Sequence, residues 1–412
     1  MDEAGRTELI RDLCSHERRG PGTDAERRAA NMLAGRLRGL GRRTEVEPTY
    51  VHPQYALVHA VHVALAIAGS IVATEQAAVG FALVFAAATS LYLDLNTRFY
   101  LVRRLFFRRA SQNVVSPGSN PEAPLRLILV AHYDAARTGY LFGERSARLA
   151  RRLGERARVL LGPWRLIFWG GMAPLLPILG ARMAGLEGQW LSVLQLFPTV
   201  LLIVALFLLI DIALSEIVPA AYDNASGVAA VLSAADELRR DPTENLDLWV
   251  VLAGGDECLC EGMRGWLRAN RAEIERDRTV IVNVSSVSYG SVHYTASEGA
   301  VISMPMDPSL IELCEALATA GATGGPPARP VRLPVVTDAL PARVRRLRTI
   351  SVLGLDQGLP PPWHHTPEDT PERVNAGSVT RATDFVIALA RLLDREAGRT
   401  AAATPPAAEP VA

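Results

Sequence analysis

The feature that most constrains this chain is a set of four long apolar blocks arranged as two close pairs. Residues 55–73 (YALVHAVHVALAIAGSIVA) and 77–93 (AAVGFALVFAAATSLYL) contain no Asp, Glu, Lys or Arg, and only Thr74, Glu75 and Gln76 separate them. Residues 164–182 (WRLIFWGGMAPLLPILGAR) and 190–210 (WLSVLQLFPTVLLIVALFLLI) form the second pair. A helix crossing a bilayer needs about 20 predominantly apolar residues, so the spacing predicts two transmembrane hairpins. The bland alternative is a set of core helices in a soluble protein. Trp164, Trp169 and Trp190 suit interfacial positions. His59 and His62 fall inside the first block, where a functional role and a packing role both remain open.

Arginine placement predicts an orientation. Between the pairs lie Arg98, Arg103, Arg104, Arg108 and Arg109, then Arg145, Arg148, Arg151, Arg152, Arg156 and Arg158; the turns inside the pairs hold Glu75 and Glu187 without Lys or Arg. The positive-inside rule puts the Arg-rich side in the cytoplasm. Two hairpins return the chain to one side each time, so both termini and the middle share it. The stretch TRFYLVRRLFFRRA (97–110) reads as a juxtamembrane helix attracted to anionic lipid. Residues 1–50 are polar and charged, with no apolar segment of the kind a secretory signal needs. The chain has no net formal charge, which gives no reason to expect a nucleic-acid partner. Cys14, Cys258, Cys260 and Cys314 have no zinc-finger or disulfide spacing; Cys258 and Cys260, a lone C-x-C after a strand, read as small buried side chains, with a redox role as the alternative.

With the hairpins set aside, short apolar runs at 125–134, 246–255, 279–286 and 349–356 read as buried strands. Helical patterns fill 226–240, 261–277 and about 376–395 between and after them. Alternating strands and helices predict an α/β fold, a doubly wound and mostly parallel sheet flanked by helices. The implied organisation is 1–50 as the N-terminal part of this domain, 55–93 as the first hairpin, and 94–139 as domain with the basic juxtamembrane helix. A basic juxtamembrane segment (140–163), the second hairpin (164–212), the main part of the domain (213–396) and a disordered tail (397–412) follow.

Four polar clusters fall at predicted strand ends or in the following loops, where such sheets bind ligands. In Ala131-His132-Tyr133-Asp134, His132 is a potential metal ligand and Asp134 a group to orient its other ring nitrogen. Tyr222-Asp223-Asn224-Ala225-Ser226-Gly227 puts the Asp223 carboxylate at a helix start. In Gly254-Gly255-Asp256-Glu257, adjacent carboxylates can divide metal binding and proton transfer. Trp363-His364-His365-Thr366-Pro367-Glu368-Asp369-Thr370 lies in a late loop. Any one of these occurs often by chance as a cap or turn; the combination and its order are specific.

That order, H-x-D, D-N-x-S-G, G-G-[DE]-E, H-T-P-x-D-T, resembles the zinc-dependent aminopeptidases of the bacterial leucyl aminopeptidase and aminopeptidase Y type, whose fold glutamate carboxypeptidase and glutaminyl cyclase share. Arg18-Arg19-Gly20-Pro21-Gly22-Thr23 is similar to the family's R-x-x-G-T opening, Gln112-Asn113-Val114-Val115 to its early strand, and Thr337-Asp338 to an S/T-D position before the last strand. The resemblance covers 8–50 and 111–395 apart from the hairpins. It implies a zinc exopeptidase-like fold and metal ligands at His132, Asp223 (bridging), Glu257 and His365, with Asp256 as general base. His364 competes with His365 for the ligand role.

Two positions depart from the family. The base is usually Glu, and Asp256 is one methylene shorter. The family's N-x-D carboxylate is replaced in Asn283-Val284-Ser285-Ser286 by Ser285, a poor zinc ligand. The resemblance therefore implies one firmly bound zinc on Asp223, Glu257 and His365, with a second weak or absent. Three ligands and an open position are the pattern of a catalytic zinc. The expected function is a multi-pass cell-membrane zinc metallopeptidase, an aminopeptidase facing the cytoplasm, with peptide substrates and the lipid bilayer as partners. The alternatives are a catalytically impaired pseudo-peptidase acting as a binding protein and a single-zinc acyltransferase of the glutaminyl cyclase kind.

Overall fold

The computed structural model describes residues 1–322 and 324–403. Nine strands form one sheet: β1 (Glu45–Val51), β2 (Arg109–Ser116), β3 (Leu125–His132), β4 (Leu246–Ala253), β5 (Thr279–Ser285), β6 (Ser291–Glu298), β7 (Met304–Pro305), β8 (Arg329–Leu333) and β9 (Arg348–Leu355). Their order is β1-β2-β4-β3-β5-β9-β6-β7, with β8 paired to β6. The centre, β4-β3-β5-β9, is parallel. The flanks pair antiparallel at β1 with β2, β2 with β4, β9 with β6 and β6 with β7, while β8 runs parallel to β6. The sheet is thus mixed, with parallel pairing concentrated where the apolar runs are continuous. Strands buried on both faces must be apolar throughout, whereas β1 (EVEPTYV) is a polar edge with Pro48 in it, a residue tolerated only at edges.

Alternation along the strands divides two cores. Leu127, Leu129 and Ala131 of β3 face a large cluster with the helices Glu3–Ser15, Asp24–Gly39, Ser226–Arg240 and Ala376–Ala403. Ile128 and Val130 face the other way, onto Met263, Trp266 and Leu267 of the helix Glu261–Ala269. The connection from β3 to β4 thus packs on one face and that from β4 to β5 on the other. The strand order reverses around β3, and the crevice this creates opens at its carboxyl end.

Among the described residues, four helices are long and apolar enough to cross a membrane: Tyr55–Val72, Ala77–Leu95, Pro163–Met183 and Gln189–Leu214. They pack as one bundle around Val63, Val84, Leu91, Met172 and Leu202. The first pair touches closely at Gly69 and Gly80, where a Cβ on Gly80 would lie 2.4 Å from both the Ala73 Cβ and the Gly69 carbonyl oxygen. Polar groups inside the bundle pair with one another. The His62 ring meets the Val58 carbonyl at 2.8 Å and Ser90 Oγ at 2.9 Å. Gln195 Nε2 donates to the Ser70 carbonyl at 2.6 Å.

Several expectations need correction. Residues 97–110 do not form a helix. The preceding helix ends at Leu95, Thr97 has φ 55°, only Val102–Leu105 makes a short 3₁₀ turn, and β2 already begins at Arg109. The physical cause is Arg103, which turns inward and is fully buried against Asp94. The helix after β4 stops at Ala269 instead of continuing to 277. Residues 144–160 are helical with a break at Gly154 (φ 71°). The last helix continues to Ala403, past the predicted start of the tail; residues 404–412 lie outside the described residues.

Candidate metal centre

The four clusters converge at the carboxyl ends of the central strands. His132 ends β3, the Gly254–Glu257 loop follows β4, Ser285 ends β5, and Asp223 lies in the turn Ala221–Ala225 before the helix Ser226–Arg240. His364 and His365 come from the loop after β9.

The segment carrying Asp223 is locked by its own motif. Asn224 Oδ1 accepts from the amides of Gly227 (3.0 Å) and Ser286 (2.8 Å), and its Nδ2 donates to the Val284 carbonyl at 3.1 Å. Ser226 Oγ donates to the Tyr222 carbonyl and accepts from the Val287 amide. A Cβ on Gly227 would lie 2.2 Å from Asn224 Oδ1 and 2.4 Å from the Val284 carbonyl oxygen. The Asn, Ser and Gly of D-N-x-S-G therefore stitch the helix start to β5, and the Asp is left to face the crevice. The Asp223–Asn224 peptide is cis. From behind, the Asp369 carboxylate accepts the amides of Tyr222 (2.7 Å) and Asp223 (3.2 Å).

Asp223 is the hub. Its Oδ2 lies 2.8 Å from His364 Nε2 and 3.0 Å from His365 Nε2; its Oδ1 lies 3.2 Å from His132 Nε2 and accepts from Ser286 Oγ at 2.6 Å. Glu257 Oε1 is 3.6 Å from His365 Nε2, and Asp256 Oδ2 is 3.6 Å from His132 Nε2. Three donor atoms from His132, Asp223 and Glu257 lie within 4.8 Å of one another, as do three from Asp223, His364 and His365. Both histidines of the late loop reach Asp223, but His365 also approaches Glu257. His365 and Ser286 both have φ 57°, a left-handed backbone that non-glycine residues keep only where their surroundings enforce it.

Two expected contacts fall differently. Asp134 Oδ1 is 3.5 Å from His132 Nδ1, which has no hydrogen-bond partner. Its carboxylate instead accepts the amides of Asp256 (3.1 Å) and Glu257 (3.0 Å), so Asp134 chiefly shapes the loop of the two acids. At the position of the absent carboxylate, Ser285 Oγ reaches only Ser286 Oγ, at 3.3 Å, and it is Ser286 that touches Asp223. Ser286 is the contact that sequence reading passed over; the hydroxyl beside Ser285 was the available signal. Cys258 and Cys260 are buried free thiols, as expected, and Cys260 lies beside Asp256 and Asp338.

The electrostatics are those of an acid-rich pocket. Burial, with Asp223 and other acids nearby, pushes Glu257 well above the usual carboxylate range. Burial and Asp134 raise Asp256 against the pull of His132. Burial and the neighbouring Asp256 raise Asp338. Asp223 moves the other way: the three imidazoles overcome burial and hold it well below the normal value. Burial disfavours the charged form of His132, but Asp256, Asp134 and Asp223 outweigh it and raise it. Burial and His364 lower His365 to about 4. Convergent carboxylates forced toward their protonated forms, two neighbouring imidazoles, and unpartnered buried atoms at His132 Nδ1, His365 Nδ1 and Asp256 Oδ1 are a donor set suited to a divalent metal of zinc's type. Beside Glu257 a cleft of about 130 Å³ opens between Gly20, Tyr55, Phe107, Arg137 and Ile217.

The mixed α/β sheet with its polar cluster at the switch point of the central strands is similar in fold to solved glutaminyl cyclase, aminopeptidase and zinc-dependent exopeptidase structures. Bacteroides thetaiotaomicron glutaminyl cyclase bound to N-acetylhistamine superposes with a TM-score of 0.54 at 13% identity, over 95% of this chain and 97% of that one. A leucine aminopeptidase precursor from the same organism gives the same values. The Legionella pneumophila LapA aminopeptidase gives 0.52 at 11% identity, over 96% of this chain and 72% of that one. At sequence level, residues 211–390 match peptidase family M28, which agrees with the resemblance drawn from the motifs. Among curated proteins, none matches the sequence.

Proposed function

We propose that this chain is a membrane-anchored zinc metallopeptidase, acting as an aminopeptidase on peptides with a free amino terminus. The observation that carries the reading is that His132, Asp223 and Glu257, distant in sequence, offer ligand atoms within 4.8 Å of one another at the carboxyl end of β3, while His365 reaches Asp223 at 3.0 Å and Glu257 at 3.6 Å. Asp223, Glu257 and His365 would hold one zinc firmly, with His132 at its margin; Ser285 and Ser286 offer no carboxylate for a second. Zinc in such a site lowers the pKa of water and polarises a carbonyl.

The chain's own groups account for the remaining work. Asp256, next to Glu257 and facing His132, is placed to take a proton from the attacking water and return it to the leaving amine. Asp134 holds the amides of Asp256 and Glu257 and so sets where both carboxylates stand. Ser286 and the imidazoles keep Asp223 ionised. The substrate enters through the cleft beside Glu257. The apolar helices anchor the domain to the cell membrane, and the arginine distribution supports a cytoplasmic site. A single-zinc acyltransferase of the glutaminyl cyclase kind is the second reading, favoured by the serines at 285 and 286.

Metal analysis of the purified full chain, with turnover on fluorogenic aminoacyl substrates, tests this. About one zinc per chain is expected, and Glu257→Ala should lose both the metal and at least a hundredfold in turnover, about 2.7 kcal/mol of barrier. Cyclisation of amino-terminal glutamine without hydrolysis would select the second reading. A parent chain that takes up no zinc and turns over neither substrate is a binding protein.

A further inference from the structure

The loop that carries Asp256 and Glu257 is tied to the first apolar hairpin by a buried arginine. Arg103 is fully buried, its Nε donates to both oxygens of Asp94 at 2.8 Å, and its Nη1 donates to the Cys258 carbonyl at 2.7 Å. Asp94 is the penultimate residue of the helix Ala77–Leu95, and its Oδ2 lies 3.3 Å from His59 Nε2 on the paired helix. On the far side, Arg103 Nη1 is 3.7 Å from Glu261 Oε1, which meets His52 Nδ1 at 2.8 Å. A continuous run of buried charged and polar groups thus leads from inside the hairpin to the residue next to Glu257.

The loop has a reason to need this support. Leu259 and Cys260 have φ 66° and 54°, left-handed values that side-chain-bearing residues hold only when over-determined from outside. Leu259 also packs its side chain against the apolar helix bundle. One hydrogen bond to a carbonyl and one inserted side chain therefore fasten a strained segment to the hairpin, immediately after Glu257.

We propose that Arg103 is a positioning residue that straps the Asp256–Glu261 loop to the Asp94–His59 pair of the first hairpin, so that the geometry of the metal centre depends on the packing of the apolar helices. This rests on the metallopeptidase reading only where zinc is concerned. The strap itself is a statement about the loop. Removing Arg103 alone leaves Asp94 buried without its main partner, a change that threatens folding by itself. The informative chains are therefore the paired Asp94→Asn/Arg103→Met variant and the conservative Arg103→Lys.

Each full chain is placed in lipid nanodiscs and read in two ways: affinity for Zn²⁺ alone by competition with a chelating dye, and amide hydrogen exchange of 256–261. The paired variant is expected to bind zinc at least tenfold more weakly and to exchange at least tenfold faster in 256–261. Exchange in β3 and in Ser226–Arg240 stays at the parent rate, which a merely destabilised fold would not allow. Turnover falls in kcat with KM unchanged. Arg103→Lys should fall between, since an ammonium keeps the pairing with Asp94 but cannot hold its two oxygens and the Cys258 carbonyl together. Parental zinc affinity with parental loop exchange in the paired variant overturns the proposal. If that variant does not yield a monodisperse chain, Arg103→Lys decides on the same readouts. A parent that binds no zinc refutes the metallopeptidase reading and leaves the strap to be decided by exchange.

Discussion

Arg19 shows how much of the site is built from backbone. It is 1% exposed and donates to the carbonyls of Tyr133, Pro219 and Ala220, joining the end of β3 to the turn that presents Asp223. Arg19→Met leaves three buried carbonyls without their donor and is expected to cost about 3 kcal/mol, measured as the unfolding free energy of the purified chain. Ser285 makes the complementary prediction. Ser285→Asp supplies the carboxylate the motif lacks, and zinc content should rise from about one to about two per chain by metal analysis. The residues that meet around Asp223 were legible because few side chains ligate metals and each stood at a strand end, at a helix start or in a loop beyond the sheet. Ser286 and Arg103 were not. A serine gains meaning only from the carboxylate opposite it, and Arg103 looked like one more basic residue until Asp94 and the Cys258 carbonyl were seen around it.

At the scale of elements, legibility followed hydropathy. The four apolar helices and the four central strands stood out because burial on all sides requires long apolar runs. The flanking strands β1, β6 and β8 did not, since partly polar sequences pair only when a neighbour is brought to them. The stretch 97–110 was misread for a related reason: its charges suggest a solvated helix, but one of them is consumed by a buried pair. Within the first hairpin the helices meet through glycines, and close approach of this kind supports helix association in apolar surroundings. Gly80→Val places atoms where the Gly69 carbonyl and the Ala73 side chain already lie. It should cost about 2 kcal/mol through overpacking, seen as a lower unfolding temperature of the chain in detergent, whereas the exposed neighbour change Val79→Ala should leave that temperature unchanged.

For the whole molecule, the pairing of β1 with β2 joins Val51 to Arg109 directly across the first hairpin. Both ends of that hairpin therefore emerge on the side of the sheet. The second hairpin likewise leaves after β3 and returns before Asp223. Under the proposed orientation, single cysteines at 120 and 290 should react with a membrane-impermeant maleimide only after the cells are opened, while one at 187 reacts in intact cells. Labelling of 120 or 290 from outside places the site on the other face of the membrane.

The same interleaving dictates an order of assembly. As the chain is synthesised, β1 is finished before the first hairpin and its partner β2 only after it; β3 is finished before the second hairpin, and its neighbours β4 and β5 only after that. The centre of the sheet therefore closes only once both pairs of apolar helices have been made. A nascent chain stalled before residue 246 has both of its helical pairs but, of the four clustered residues, only His132 and Asp223.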